Sequence, residues 1–145
     1  MWIKEIVENL VEKHGTNDPF EIARAENIYV IEQDLHEEIL GFYKYIRRNK
    51  FIFINSNIDS NEKIFTCAHE LGHSKLHPRT DTTFLRSKTL FSVGKIENEA
   101  NRFAVELLML DDNLYRLKNT NLTIYDAADL CSVPKEVCHL KKFKL

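Results

Sequence analysis

Residues 67–78 read C-A-H-E-L-G-H-S-K-L-H-P, and the interpretation of the whole chain starts from this stretch. It contains two histidines four residues apart, His69 and His73, and Glu70 directly follows the first of them. An α-helix advances about 100° per residue, so side chains four positions apart lie on the same face. On a helix, the two imidazoles can therefore hold one ion between them, while Glu70 projects to the side of that ion.

The residues before this stretch predict the helix that such a geometry requires. D-S-N-E at 59–62 offers an N-cap and an early acidic residue, and apolar residues then recur at helical spacing as far as Pro78. Upstream, residues 27–34, 41–49 and 50–56 are rich in β-branched and aromatic residues. They predict three strands in a small antiparallel sheet that packs against the helix.

Further helices are predicted on both sides of this unit. Apolar residues at helical spacing favour helices over 2–14, about 18–26 and 96–110. Residues 79–95 show no period and are expected to form a long connection. The tail favours two short helices, so the pattern predicts an α+β fold with a helical C-terminal extension from about residue 120 to residue 145.

Two imidazoles leave room for a third protein ligand, and the helix over 96–110 offers three acidic candidates. A helical wheel places Glu97 beside the apolar face, whereas Glu99 and Glu106 fall beside Arg102 and are expected to be its solvated partners. Asn101 lies on the same side of the helix as Glu97. Its amide oxygen could accept the free ring N–H of a metal-bound histidine.

Two histidines and a carboxylate are a ligand set typical of catalytic zinc sites. They leave the fourth tetrahedral position open for water, whose pKa then falls to about 7. Glu70 is placed to act as general base on that water. The alternative is that H-E-x-x-H arises by chance on an ordinary helix and that Glu97 is a carboxylate at the edge of the core.

The longer pattern resembles a known family. T-C-A-H-E-L-G-H-S-K-L-H-P at 66–78, followed by I-E-N-E-A-N-R-F-A-V-E-L-L-M at 96–109, is similar to the ImmA/IrrE family of metallopeptidases. D-P-F-E-I-A, G-F-Y and I-F-I-N within 18–55 match the family's usual lead-in, so the resemblance covers nearly the whole chain. The chain continues with Leu110, Asp111 and Asp112 where the family often has proline, and the helix end is expected to shift.

The resemblance implies a zincin-like domain of the gluzincin kind that binds Zn²⁺. His69, His73 and Glu97 would be the zinc ligands, and Glu70 the catalytic acid and base. Family members are commonly encoded by phages and mobile elements, and some cleave a helix-turn-helix repressor. A repressor as the protein substrate is therefore an expectation that rests on the resemblance alone.

Composition sets the wider limits. The chain has 145 residues, a net charge of −2 and three cysteines, which fits one cytoplasmic domain over 1–145 with buried thiols rather than a disulfide scaffold. The first residues show no cleavage site, and the sequence has no apolar run long enough for a membrane span. Cys67 is expected to be a small buried residue, with an inhibitory thiolate as the alternative. His77 is expected at the helix end.

Two functions compete at this point. The first is a zinc endopeptidase that holds its substrate extended along a sheet edge, for which the strand over 51–55 is the candidate. The second is a regulator that binds a protein or DNA partner through an inactive or structural zinc site. Its support is a helix-turn-helix spacing in the tail and local positive charge, carried by Ala127, Cys131, Val133, Val137, Lys135, Lys141, Lys142 and Lys144. Nearby acids dilute this charge, and two small packed helices explain the same spacing, so nucleic acid is not the expected partner.

Overall fold

The chain forms a β-sheet with helices packed against one face. The computed structural model describes residues 2–86 and 94–142. The described elements are α1 (Trp2–His14), α2 (Pro19–Ala25), β1 (Tyr29–Gln33), β2 (Ile39–Ile46), β3 (Asn49–Asn55), α3 (Ser60–Leu76), β4 (Thr82–Leu85), α4 (Lys95–Leu108), α5 (Asp111–Arg116), α6 (Ile124–Leu130) and a 3-10 helix (Cys138–Leu140). None of the described helices combines the length and apolar character needed to cross a membrane.

The sheet differs from the expected one in two respects. It has four strands in the order β1-β3-β2-β4 across the described residues. β1 pairs with β3 in parallel, whereas the β2–β3 and β2–β4 pairs are antiparallel. The predicted three-stranded antiparallel sheet is therefore wrong in its strand number and in the direction of one pair.

The parallel pair follows from the path of the chain between β1 and β2. Asn55, at the end of β3, is fully buried, and its Nδ2 donates to the carbonyl oxygens of Leu35, His36 and Ile39. These bonds hold the connection across the end of β3, so β1 and β2 lie on opposite sides of it. β2 then returns to β3 through the expected polar turn, where Arg47 and Arg48 have φ angles of 50° and 68°.

β4 lies within the segment that was expected to be a connection. Its four residues, T-T-F-L, pair with β2, from Thr82 opposite Tyr43 to Leu85 opposite Ile39. A strand this short leaves no clear period in the sequence, and backbone hydrogen bonds to β2 rather than side-chain pattern define it. Residues 87–93 of the predicted connection lie outside the described part of the chain.

α3 lies against β2 and β3 on the inner face of the sheet, and α4 packs on α3. α3 begins with a capping box in which Asp59 accepts from the backbone N–H of Glu62 and the Glu62 side chain accepts from that of Asp59. Gly72 is the point of close approach, because a Cβ there would lie 3.0 Å from the Cβ of Phe103 in α4. The core contains Tyr43, Ile52, Ile54, Leu71, Phe103 and Leu107, all fully buried.

The tail packs on the domain instead of presenting a helix-turn-helix. α4 ends at Leu108, before the predicted helix end at residue 110, and an unexpected α5 starts at Asp111. α6 has seven residues and is followed by a turn and a 3-10 helix, and within the described residues no second long helix follows. Ala127, Val133 and Val137 are buried, which fits the alternative of small packed elements. Lys144 lies outside the described residues.

Glu106 corrects the helical-wheel prediction. It is only 1% exposed, and its Oε1 accepts from Lys141 Nζ at 2.8 Å while Oε2 accepts from the backbone N–H of Lys142 at 2.9 Å. Lys4 of α1 lies 3.8 Å from the same carboxylate. A helical wheel describes one helix in isolation. In the folded chain, α1 and the tail cover the face of α4 that carries Glu106. Glu106 therefore joins α1, α4 and the C-terminal tail.

Replacement of Glu106 by glutamine is expected to lower the free energy of unfolding by roughly 3 kcal/mol, because the change leaves two buried lysines short of a counter-charge. Asp111 lies 2.9 Å from Lys4 and 2.8 Å from Lys141 and still pairs with both, so the loss stays at the lower end of the range for broken buried pairs. Urea unfolding measures it. Asp112→Asn, at an exposed neighbouring position, is the control, and equal stability of the two variants would contradict the structural role of Glu106.

Glu26 provides a pH-dependent contact between three helices. Its carboxylate lies 2.6 Å from Lys75 Nζ, 2.6 Å from His14 Nε2 and 3.0 Å from Lys13 Nζ. The hydrogen bond from Lys75 leads the contributions that lower the pKa of Glu26 from 4.5 to about 2, against the opposing effect of burial.

Because the pKa of Glu26 is lower in the folded chain than in the unfolded one, its contribution is fully present above about pH 4.5 and is lost as the pH falls toward 2. Glu26→Gln is expected to lower the free energy of unfolding by roughly 1 to 2 kcal/mol at pH 7, since solvent screens part of the effect. Urea titrations from pH 7 to pH 2 should show the two curves converging in acid. The exposed Glu21→Gln is the control, and a difference that persists unchanged at pH 2 would contradict this assignment.

Candidate metal centre

The two histidines of the central stretch lie one turn apart on α3, as the sequence predicts. Both side chains are fully buried. Their Nε2 atoms are 3.2 Å apart, and the two rings are nearly perpendicular, at 83°. One-turn spacing therefore directs an Nε2 of each ring toward the same small region, where one ion can contact both.

Glu97 reaches this region from the first turn of α4. Its Oε2 is 2.8 Å from His69 Nε2, and its Oε1 is 3.2 Å from His73 Nε2. Tetrahedral ligands at 2.0–2.1 Å from zinc are separated from one another by about 3.3 Å. Two imidazoles and a carboxylate at this spacing fit a zinc ion in both donor type and distance.

The charge states also suit a cation. Burial by itself would raise the pKa of Glu97, but the neighbouring imidazoles of His69 and His73 outweigh it, and the pKa lies below its ordinary value. Burial lowers the pKa of His73, more than the neighbouring Glu97 raises it. An ionised carboxylate and a neutral imidazole are the forms that bind metal.

Glu70 is the unusual member of the group. The ligand atoms of His69, Glu70 and His73 lie within 4.8 Å of one another. Glu70 is fully buried, and neither carboxylate oxygen has a hydrogen-bond partner among the described residues. Burial, with the charge of Glu97 second, raises its pKa well above the ordinary value. A buried carboxyl group without a partner is costly, which points to a polar group that it is placed to meet.

Gly41 of β2 closes the site over Glu70. A Cβ at this position would lie 3.6 Å from Glu70 Oε2 and 2.5 Å from the carbonyl oxygen of Phe53. A Cβ there would also lie 2.7 Å from Cγ2 of Thr66 in α3, closer than real Cβ atoms come, so only glycine lets β2 pass this close to α3. The site is thus bounded by the sheet, whereas the side chain of Glu97 remains 22% exposed and marks the side open to solvent.

His69 has partners on two sides. Its Nδ1 is 2.8 Å from Asn101 Oδ1, so the amide oxygen can accept a ring N–H and leave Nε2 free for a metal. The ring of Phe84, from β4, stacks on His69 with centroids 3.7 Å apart and an angle of 10°. The sequence predicts the Asn101 contact by helical spacing. It could not predict Phe84, because β4 itself had no recognisable pattern.

Glu99 contacts His77 instead of being a solvated partner of Arg102, which corrects the prediction. Its Oε1 is 2.8 Å from Nε2 of His77, and the Nδ1 of His77 is 3.0 Å from the Nδ1 of His73. His77 is the C-cap of α3, in agreement with its expected place at the helix end. The spacing of four residues between His73 and His77 was the available signal for this contact.

Cys67 takes no part in the cluster. It is fully buried, and burial raises the pKa of its thiol well above the ordinary value, which opposes the thiolate that an inhibitory role would need.

A groove of about 390 Å³ lies between α3 and the tail, next to the residues that precede His69. Phe65 and Thr66 of α3 lie on one side of this groove, and Val133 and Pro134 lie on the other.

Comparison with known proteins places this geometry in a family. Residues 23–141 match a peptidase family described as the IrrE N-terminal-like domain. The chain is 52% identical over 139 residues to "Uncharacterized immunity region protein 2" of Bacillus phage phi105, an alignment that covers 96% of this chain and 88% of that protein. It is 32% identical over 112 residues to "Metallopeptidase ImmA" of Bacillus subtilis (strain 168), which covers 77% of this chain and 66% of the relative.

These matches confirm the resemblance drawn from the sequence. The matched region contains the H-E-L-G-H helix, β1 to β4 and α4, so it includes every element that contributes to the candidate site. The chain belongs to the ImmA/IrrE family of metallopeptidases, through its IrrE N-terminal-like domain.

Proposed function

We propose that this protein is a zinc-dependent endopeptidase. The observation that carries the proposal is the triangle formed by the two histidine Nε2 atoms and Glu97 Oε2, at separations of 2.8, 3.3 and 3.2 Å. Beside it lies the carboxyl group of Glu70, which has no hydrogen-bond partner among the described residues. Three ligands at zinc spacing hold an ion, and the fourth group is left for proton transfer. A purely structural zinc site would have four protein ligands and no need for a buried free carboxyl group.

Each residue has a defined part in this mechanism. Zinc held by His69, His73 and Glu97 would lower the pKa of a bound water and polarise the substrate carbonyl. Glu70 takes the proton from the attacking water and then donates it to the leaving amine.

The bound substrate is assigned to a different edge of the sheet than the sequence suggested. The strand over 51–55 cannot hold it, since β3 is paired on both sides, with β1 and with β2. β4 pairs with β2, and no strand in the described ranges covers its other side. Because Phe84 of β4 stacks on His69, we place the extended peptide along β4, next to the metal ligands.

The proposed substrate is a helix-turn-helix repressor of a phage or mobile element, met in the cytoplasm. Two relatives support this choice: one is described as an immunity region protein of a Bacillus phage, and the other as a metallopeptidase. A protease encoded beside its repressor could relieve repression by cutting it once. Recognition of the substrate sequence would then depend on the groove and on β4, because the metal site contacts only the peptide bond that is cut.

Glu70→Gln is expected to keep zinc bound and to reduce cleavage by roughly a hundred- to ten-thousandfold, the range contributed by a positioned acid and base. Zinc content is measured by elemental analysis after gel filtration. Cleavage is measured by mass spectrometry of a repressor encoded beside the gene, incubated with the protein with and without a chelator.

The control is Glu21→Gln, at an exposed position of α2 that does not line the groove, which should behave as the parent protein does. Cleavage that survives either the Glu70 change or the chelator would exclude this mechanism. If the parent protein binds zinc but cleaves no neighbouring repressor, the result would support the metal site and contradict the proposed substrate.

A further inference from the structure

We propose that His77 and Glu99 position His73 as a metal ligand, by fixing which ring nitrogen of His73 carries the proton. The inference rests on the proposed zinc site and adds two residues to it. His77 Nδ1 lies 3.0 Å from His73 Nδ1, and His77 Nε2 lies 2.8 Å from Glu99 Oε1. The side chains of His77 and Glu99 are 9% and 16% exposed, so water has little access to these contacts.

Proton placement along this chain of contacts has a definite direction. Two ring nitrogens at hydrogen-bond distance share one proton, so one must donate and the other accept. His73 Nε2 faces Glu97 and His69 and needs a free lone pair to bind a metal, which puts the proton on its Nδ1. His77 Nδ1 then accepts, its Nε2 carries the proton, and the Glu99 carboxylate accepts in turn.

The position of the His77 ring is itself held by the fold. Its backbone N–H donates to the carbonyl oxygen of His73 at 2.8 Å, and the following Pro78 cannot continue the helix. The hydroxyl of Tyr43 donates to the carbonyl oxygen of Pro78 at 2.6 Å. Burial raises the pKa of Tyr43 to about 12, so this hydroxyl remains a donor at neutral pH.

In this arrangement, residues of α4 orient both histidine rings of α3. Asn101 contacts His69 directly, whereas Glu99 acts on His73 through His77. The competing interpretation is an ordinary ion pair between His77 and Glu99 that ties the end of α3 to α4. In that case His77 donates to His73 Nδ1, and the proton of His73 sits on Nε2, where it opposes metal binding.

Two substitutions of His77 separate these interpretations. In His77→Asn the side-chain oxygen can take the place of Nδ1 and accept from His73, but the contact with Glu99 is lost. In His77→Gln the amide can take the place of Nε2 and contact Glu99, but the acceptor for His73 is lost. The affinity of the purified full chain for zinc is measured by competition with a chromophoric chelator, and thermal unfolding of the metal-free protein monitors the fold.

We expect His77→Gln to weaken zinc binding by roughly 10- to 100-fold, the usual effect of losing a partner of a metal ligand, and His77→Asn to stay within a few-fold of the parent. His139→Gln, at an exposed histidine, is the control. Equal zinc affinity in the parent protein and both His77 variants, or a greater loss in His77→Asn than in His77→Gln, would overturn the proposal. If the parent protein binds no zinc, the proposed function fails instead, so the two failures are distinct.

Discussion

The close packing of α4 on α3 is the constraint on which the rest of the structure depends. His69 and His73 occupy one helix and Glu97 the other, so their donor atoms come within about 3 Å only if the two helices nearly touch. Gly72 permits this approach, since a Cβ there would lie 3.0 Å from Phe103. A larger residue would separate the helices and move Glu97 away from the histidines, even though the two histidines kept their mutual spacing.

Burial then gives two carboxyl groups opposite properties. Glu97, with histidines on its oxygens and one side toward solvent, has a lowered pKa. Glu70 is enclosed by α3 and β2, has no hydrogen-bond partner among the described residues, and has a raised pKa. Such divergence between neighbouring acids is typical of sites where one group binds and the other transfers protons. In this protein the difference arises from position in the fold, because the two residues have the same side chain.

α4 links the stability of the domain to its site. Its first turns carry Glu97, Glu99 and Asn101, which contact the histidines, and its later part carries Glu106, which holds Lys141 of the tail and approaches Lys4 of α1. The tail, for which the sequence offered DNA binding as an alternative, is thus anchored to the helix that carries Glu97. The family match ends at residue 141, so it includes this anchoring contact.

Local sequence determined the elements whose physics is local: the capped α3, the histidine pair at one-turn spacing, and the inward face of α4 that selected Glu97 and Asn101. The tertiary structure alone decided the sheet order, β4, the burial of Glu106 and the contact between His77 and Glu99. These features depend on contacts between segments that are distant in the sequence. The side chain of Asn55 is an example, because its hydrogen bonds hold the β1–β2 connection across the end of β3. The spacing of side chains within one helix follows from their sequence positions. The contact partner of a side chain in another element does not, because packing between distant segments sets it.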